Sequence, residues 1–153
     1  MCIRDSAYTV SDLDSSIEFL KANVNATLNY KKTLDDKALQ NLFGIKDKTL
    51  KVDLASVQIG DNEVRLLDFI AKHEGRIIPY DSRSNDLWFQ HIAIVVDDMD
   101  EAYDQVLKNK VMHVSTAPQT LPDYIPAAAG ISAFYFRDKD EHNLELILSL
   151  IHI

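Results

Sequence analysis

Laid over itself at an offset of 86 residues, this chain repeats without a gap: YTVSDLDSSIEFL from Tyr8 falls on IVVDDMDEAYDQVL from Ile94. Asp12 falls on Asp98, Leu13 on Met99, Asp14 on Asp100, Ile17 on Tyr103 and Leu20 on Val106, so a strand, an acidic cap and an amphipathic helix recur. The aspartates suit a helix start, where their oxygens accept hydrogen bonds from unpaired first-turn amides and their charge suits the dipole. Helices are therefore expected to begin near Asp12 or Asp14 and near Asp98 or Asp100.

After each helix comes strand-type sequence in three pieces. The first half gives ATLNYKKTL, LKVDLASVQIG, a turn at Asp61 and Asn62, and EVRLLDFI, with KALQNLFGI between as a short helix or loop. The second gives VMHVSTAPQ, a long loop TLPDYIPAAAG, ISAFYFRD, a turn DKDEHN and LELILS. Each half reads βαβββ. The fold class read from this pattern is α+β, built from two such modules. The modules span 7–71 and 89–148, and 72–88, rich in charge and turn formers, is a linker. Alternation predicts that Ile92, Ile94, Val96, Tyr103, Val106, Leu107, Leu144 and Leu146 are buried between sheet and helix.

The two ends read differently. MCIRDS and LSLIHI are translations of opposite strands of one DNA segment, the pattern of a sequencing adapter, so 1–6 and 149–153 are read as scars on a fragment. The only cysteine, Cys2, lies there, which leaves the natural segment no thiol nucleophile, disulfide or thiolate ligand. A formal net charge of −8 and the lack of a basic stripe argue against nucleic acid. No apolar run reaches the ~20 residues of a membrane helix. A cytoplasmic location is the default expectation.

Two ionisable residues sit in strands that otherwise read as core. His91 opens HIAIVV and shares a face with Ala93 and Val95; Glu145 lies in NLELIL with Leu144, Leu146 and Leu148 on the opposite side. An imidazole and a carboxylate on two strands of one sheet are half of a divalent metal site, or else a satisfied histidine beside an edge carboxylate. If Asp138 to His142 forms the turn, antiparallel pairing places Tyr135 opposite Glu145, where its phenol reaches a ligand or only packs. His113 lines the same face or covers an edge; His142 falls in the turn and His73 in the linker. Asp12, Asp14, Asp98 and Asp100 read as caps, and phosphate-loop, nucleophile-elbow and Cys/His zinc motifs are absent from the sequence.

HIAIVVDDMDEAYDQVL and AFYFRDKDEHNLELI together resemble the opening strand and helix and the closing hairpin of the vicinal oxygen chelate superfamily, which includes glyoxalase I, extradiol dioxygenases, fosfomycin-resistance enzymes and bleomycin-binding proteins. Lys139 stands for the family's usual proline and Glu141 for its glycine, which should loosen the turn. The resemblance implies that the two modules form a curved, mostly antiparallel mixed sheet with the helices on its outer face, and that first and last strands of both modules supply ligands to one divalent ion, Zn, Ni, Fe or Mn. Module two supplies His91 and Glu145. Module one offers Asp5, inside the scar, and Arg65, whose guanidinium cannot ligate a cation and would instead pair with Glu145, bind an oxygenated ligand or reach solvent.

The resemblance therefore implies a glyoxalase- or dioxygenase-like protein acting on, or binding, a small oxygenated metabolite, with a metal-dependent lyase or dioxygenase as the enzymatic form. A metal-free, bleomycin-resistance-like binding module, or one degenerate half of a longer enzyme, is the alternative. The partners are a small molecule and either a second copy or further modules.

Overall fold

Asp12 and Asp98 both cap helices, each from an extended backbone. Asp12 Oδ1 accepts from the Ser15 amide at 2.7 Å, and Asp98 Oδ1 from the Glu101 amide at 2.9 Å. The computed structural model describes residues 5–35, 37–46, 49–70, 75–126 and 128–148. These divide into two units between Ile77 and Ile78.

Unit one contains β1 (Asp5–Thr9), α1 (Leu13–Val24), β2 (Thr27–Leu34), α2 (Lys37–Phe43), β3 (Lys51–Ile59) and β4 (Asn62–Ile70). Its sheet runs β1-β4-β3-β2, with β1 parallel to β4 and the other pairs antiparallel. Leu13, Ile17 and Leu20 recur at helical spacing, and α1 lies on β3 and β4 to close a core with Val57, Val64 and Leu66. Full burial of such side chains stabilises by roughly 1.5–3 kcal/mol each.

Unit two contains β5 (His91–Val95), α3 (Met99–Lys108), β6 (Met112–His113), β7 (Gln119–Thr120), β8 (Ser132–Arg137) and β9 (Asn143–Leu148). Its sheet runs β5-β9-β8-β6, with β7 also on β8 and β5 parallel to β9. The mixed sheets with helices are the α+β architecture read from the repeat. Ile94, Val106, Leu144 and Leu146 are buried, together with Phe134 and Phe136. Ile92, Val96 and Tyr103 are half-buried. Leu107 departs from expectation and is exposed: it follows Val106 by one residue near the end of α3, and that ~100° step turns it off the core stripe.

Two further expectations need correction. VMHVSTAPQ is not one strand, because the Val114 and Ser115 amides both donate to Tyr135 O while the Ser115 hydroxyl accepts the Tyr135 amide. Those bonds replace a regular ladder between β6 and β7. The β8–β9 turn is also closed rather than loosened. Asp138 Oδ1 accepts the amides of Asp140 and His142, each at 2.9 Å, and Glu141 takes the left-handed conformation at φ 67°. That conformation costs about 1–2 kcal/mol, offset in part by its 2.8 Å contact with Arg137.

Residues 78–90 are not a free linker. Buried Arg137 donates to the carbonyls of Tyr80 and Ser82 and to Asn143 Oδ1, and the Asn143 amide donates to Gln90 O. The segment is thereby tied to the β8–β9 hairpin. Of residues 1–6, which the sequence pattern reads as a scar, Asp5 and Ser6 are described, and they begin β1. Residues 1–4 and 149–153 and His73 lie outside the described residues. Among the described residues no helix is long and apolar enough to cross a membrane.

Candidate functional site

The β5–β9 register sets His91 against Asn143 and Ala93 against Glu145, and the β8–β9 register sets Tyr135 against Glu145. Alternation along the strands turns all three candidate side chains to the face opposite α3. His91 Nε2 stands 3.2 Å from Glu145 Oε2; the imidazole is 37% exposed and the carboxylate 9%. A carboxylate only accepts, so a proton on Nε2 would face Glu145 and Nδ1 would then be the free basic nitrogen.

Tyr135 completes a chain of polar groups. Burial first, then its hydrogen bond to Glu145 and the charge of that carboxylate, push the phenol up to about 12, so it keeps its proton across the neutral range. Its ring meets the His91 ring edge-on, with centroids 5.4 Å apart. Phe89 packs on both, 5.8 Å from His91 and 6.1 Å from Tyr135. Sequence reasoning missed Phe89, although it stands two residues before His91 and alternation would have put the two on one side.

The other candidates lie elsewhere. His113 pairs with Phe136 and packs on Phe134 and Tyr103, so it belongs to the helix side of the sheet and not to the His91 face. His142 belongs to the turn, with Nδ1 3.0 Å from buried Asp138. Desolvation lowers its pKa, but the hydrogen bond to Asp138 and the charges of Asp138 and Asp140 win and raise it above 6.5.

Arg65 holds the place in unit one that Glu145 holds in unit two. Arg65 faces Ala7 as Glu145 faces Ala93, and Glu63 faces Asp5 as Asn143 faces His91. Arg65 Nε donates to Glu63 Oε1 at 3.0 Å, and that bond draws the Glu63 carboxyl below its ordinary range. The sequence reading had not identified Glu63 as its partner.

Two ligands bound to one tetrahedral zinc at ~2.0–2.2 Å lie about 3.4 Å apart, so the His91–Glu145 spacing of 3.2 Å is close to that of two ligands of one divalent ion. Arg65 does not suit it, being a fixed cation. Among the described residues no group of three or more His, Cys, Asp or Glu is arranged to hold a metal ion. His91 and Glu145 could serve as two ligands of such an ion, and among the described residues no third His, Cys, Asp or Glu is arranged to join them.

Comparison with known proteins gives a consistent answer. The chain is 30% identical over 151 residues to a 2-epi-5-epi-valiolone epimerase from an Actinomyces species, covering 96% of this chain and 79% of the relative. In fold it is similar to a glyoxalase family protein from Bacillus cereus, with a TM-score of 0.77, 17% identity and coverage of 96% and 93% of the two chains. It is also similar to a fosfomycin resistance protein from Listeria monocytogenes solved with Mn(II) and 1S,2S-dihydroxypropylphosphonic acid, at a TM-score of 0.61, 17% identity and coverage of 97% and 93%. The profile of the Glyoxalase/Bleomycin resistance protein/Dioxygenase superfamily matches residues 4–146, and the chain belongs to that superfamily.

Proposed function

We propose that this protein acts on a small polyoxygenated metabolite at the His91 face of unit two, moving a proton at a carbon next to a carbonyl. The 3.2 Å contact between His91 Nε2 and Glu145 Oε2 carries this reading. Glu145 fixes the tautomer and offsets the charge the imidazole acquires, so that Nδ1 takes the proton from carbon and leaves a planar enolate, which water reprotonates on the opposite face. Tyr135, protonated at neutral pH, donates to Glu145 and keeps the carboxylate oriented. Removing and returning a proton at carbon can invert a stereocentre, and the relative at 30% identity is named as an epimerase. That supports proton transfer over the lyase and oxidoreductase chemistries the family also contains.

Metal dependence is the second reading, favoured by the same spacing. His91 and Glu145 would hold a divalent cation in place of the proton between them. When bound, such an ion supplies Lewis-acid polarisation of a ligand oxygen. Arg65 favours the metal-free form.

The test is to incubate the protein with a polyhydroxylated cyclic ketone, with and without added Mn(II), and follow the appearance of the epimer by NMR. The proposal expects inversion that Glu145→Gln slows at least tenfold. No inversion in either condition, or inversion that Glu145→Gln leaves unchanged, contradicts it. Inversion only with Mn(II) selects the second reading.

A further inference from the structure

Where residues 78–90 fold over the β8–β9 turn they enclose a cavity of about 180 Å³. It is lined by Ile78, Arg83, Trp88, Phe89, His142 and Asn143, among others, none of which is His91, Glu145 or Tyr135. We propose that this cavity is a binding site for a small aromatic carboxylate.

Size, shape and charge support the proposal. Cavities of ~150 Å³ take up a benzene ring, so this one suits a single ring with a small substituent. Its apolar wall is Ile78, Trp88 and Phe89. Trp88 is 56% exposed, an indole left half in water that a stacked ring would cover. Its Nε1 donates to Ser82 Oγ at 3.2 Å, which fixes the indole plane.

The lining also includes Arg83 and His142. In a chain of net charge −8, the exposed Arg83 guanidinium beside an apolar cavity gives an anion a local reason to bind, while His142 Nδ1 is engaged by Asp138. Two of the nearby aspartates are engaged: Asp138 with the turn amides and His142, Asp86 with the Arg83 amide.

Both ends of the cavity wall are held. Arg137 secures the Tyr80 and Ser82 carbonyls, and the Asn143 amide secures Gln90 O. The walls are thus set before a ligand arrives, which reduces the ordering cost of binding. Phe89 turns toward His91 and Tyr135 as well, so the cavity borders the proton-transfer site while using other residues.

Trp88 is the single tryptophan of the chain, so intrinsic fluorescence reports on this cavity. Titration of the whole protein with benzoate should give a saturable change with a Kd of roughly 1 mM or below. Benzamide, which keeps the ring and loses the charge, should bind about tenfold more weakly, and Arg83→Gln should weaken benzoate by a similar factor. Arg83 is exposed, so the variant retains the fold. Acetate, with the charge but no ring, should give no saturable change. A non-saturating response to benzoate, an equal response to acetate, or binding unaffected by both benzamide exchange and Arg83→Gln would overturn the proposal.

Discussion

His91 Nε2 lies 3.2 Å from Glu145 Oε2 although the two are not cross-strand partners, since Ala93 stands opposite Glu145 and Asn143 opposite His91. The contact is a diagonal one. It needs a small residue at position 93, because a bulky side chain there would stand between imidazole and carboxylate. Ala93→Leu should therefore separate the pair and reduce turnover at least tenfold while leaving the β5 hydrogen bonds intact. Kinetics with a circular dichroism control check this, and undiminished turnover would show that the contact is dispensable.

Tyr135 gives a test at high pH. Its folded value of about 12 exceeds the ordinary 10.0, so its contribution to stability is complete below pH 10 and disappears as pH rises through 12. The stability difference between wild type and Tyr135→Phe, from urea unfolding, should narrow across that window. A constant difference would mean the phenol proton is not held by Glu145.

His142 gives the corresponding test near neutrality. Its pKa is raised, so the stabilisation it gains from Asp138 is complete below 6.5 and fades as pH climbs through the folded value. His142→Gln should cost most at mildly acid pH and less at alkaline pH. The opposite trend in thermal unfolding would contradict the geometry at Nδ1.

Arg137 is the buried tie between residues 80–82 and the hairpin. Arg137→Met removes one partner from several acceptors and should destabilise by about 3 kcal/mol. Limited proteolysis should then cut within residues 78–90 first. Global loss of stability without local sensitivity there would speak against the tie.

Much of this was legible in the residues. The offset between Asp12 and Asp98 located both helix starts because capping is a local effect, and alternation placed Tyr135 opposite Glu145 because register follows from one turn. What was not legible depends on contacts distant in sequence. Arg137 reaches Tyr80 across 57 positions, so 72–88, which contains Tyr80, read as a linker. The Ser115 hydroxyl on the Tyr135 amide broke a strand that composition alone had joined. Glu141 takes a left-handed conformation because Asp138 and Arg137 hold it there, which overrides its own preference. His113 was ambiguous for a similar reason, since only the pairing with Phe136 decides its face.

Solvent deuterium exchange at the carbon beside the carbonyl of a polyhydroxylated cyclic ketone, followed by proton NMR in heavy water, tests the central claim most directly. The wild-type protein should wash out that proton, and His91→Ala should slow the exchange about a hundredfold. Exchange by His91→Ala at the wild-type rate, or none by the wild type, would contradict proton transfer at His91.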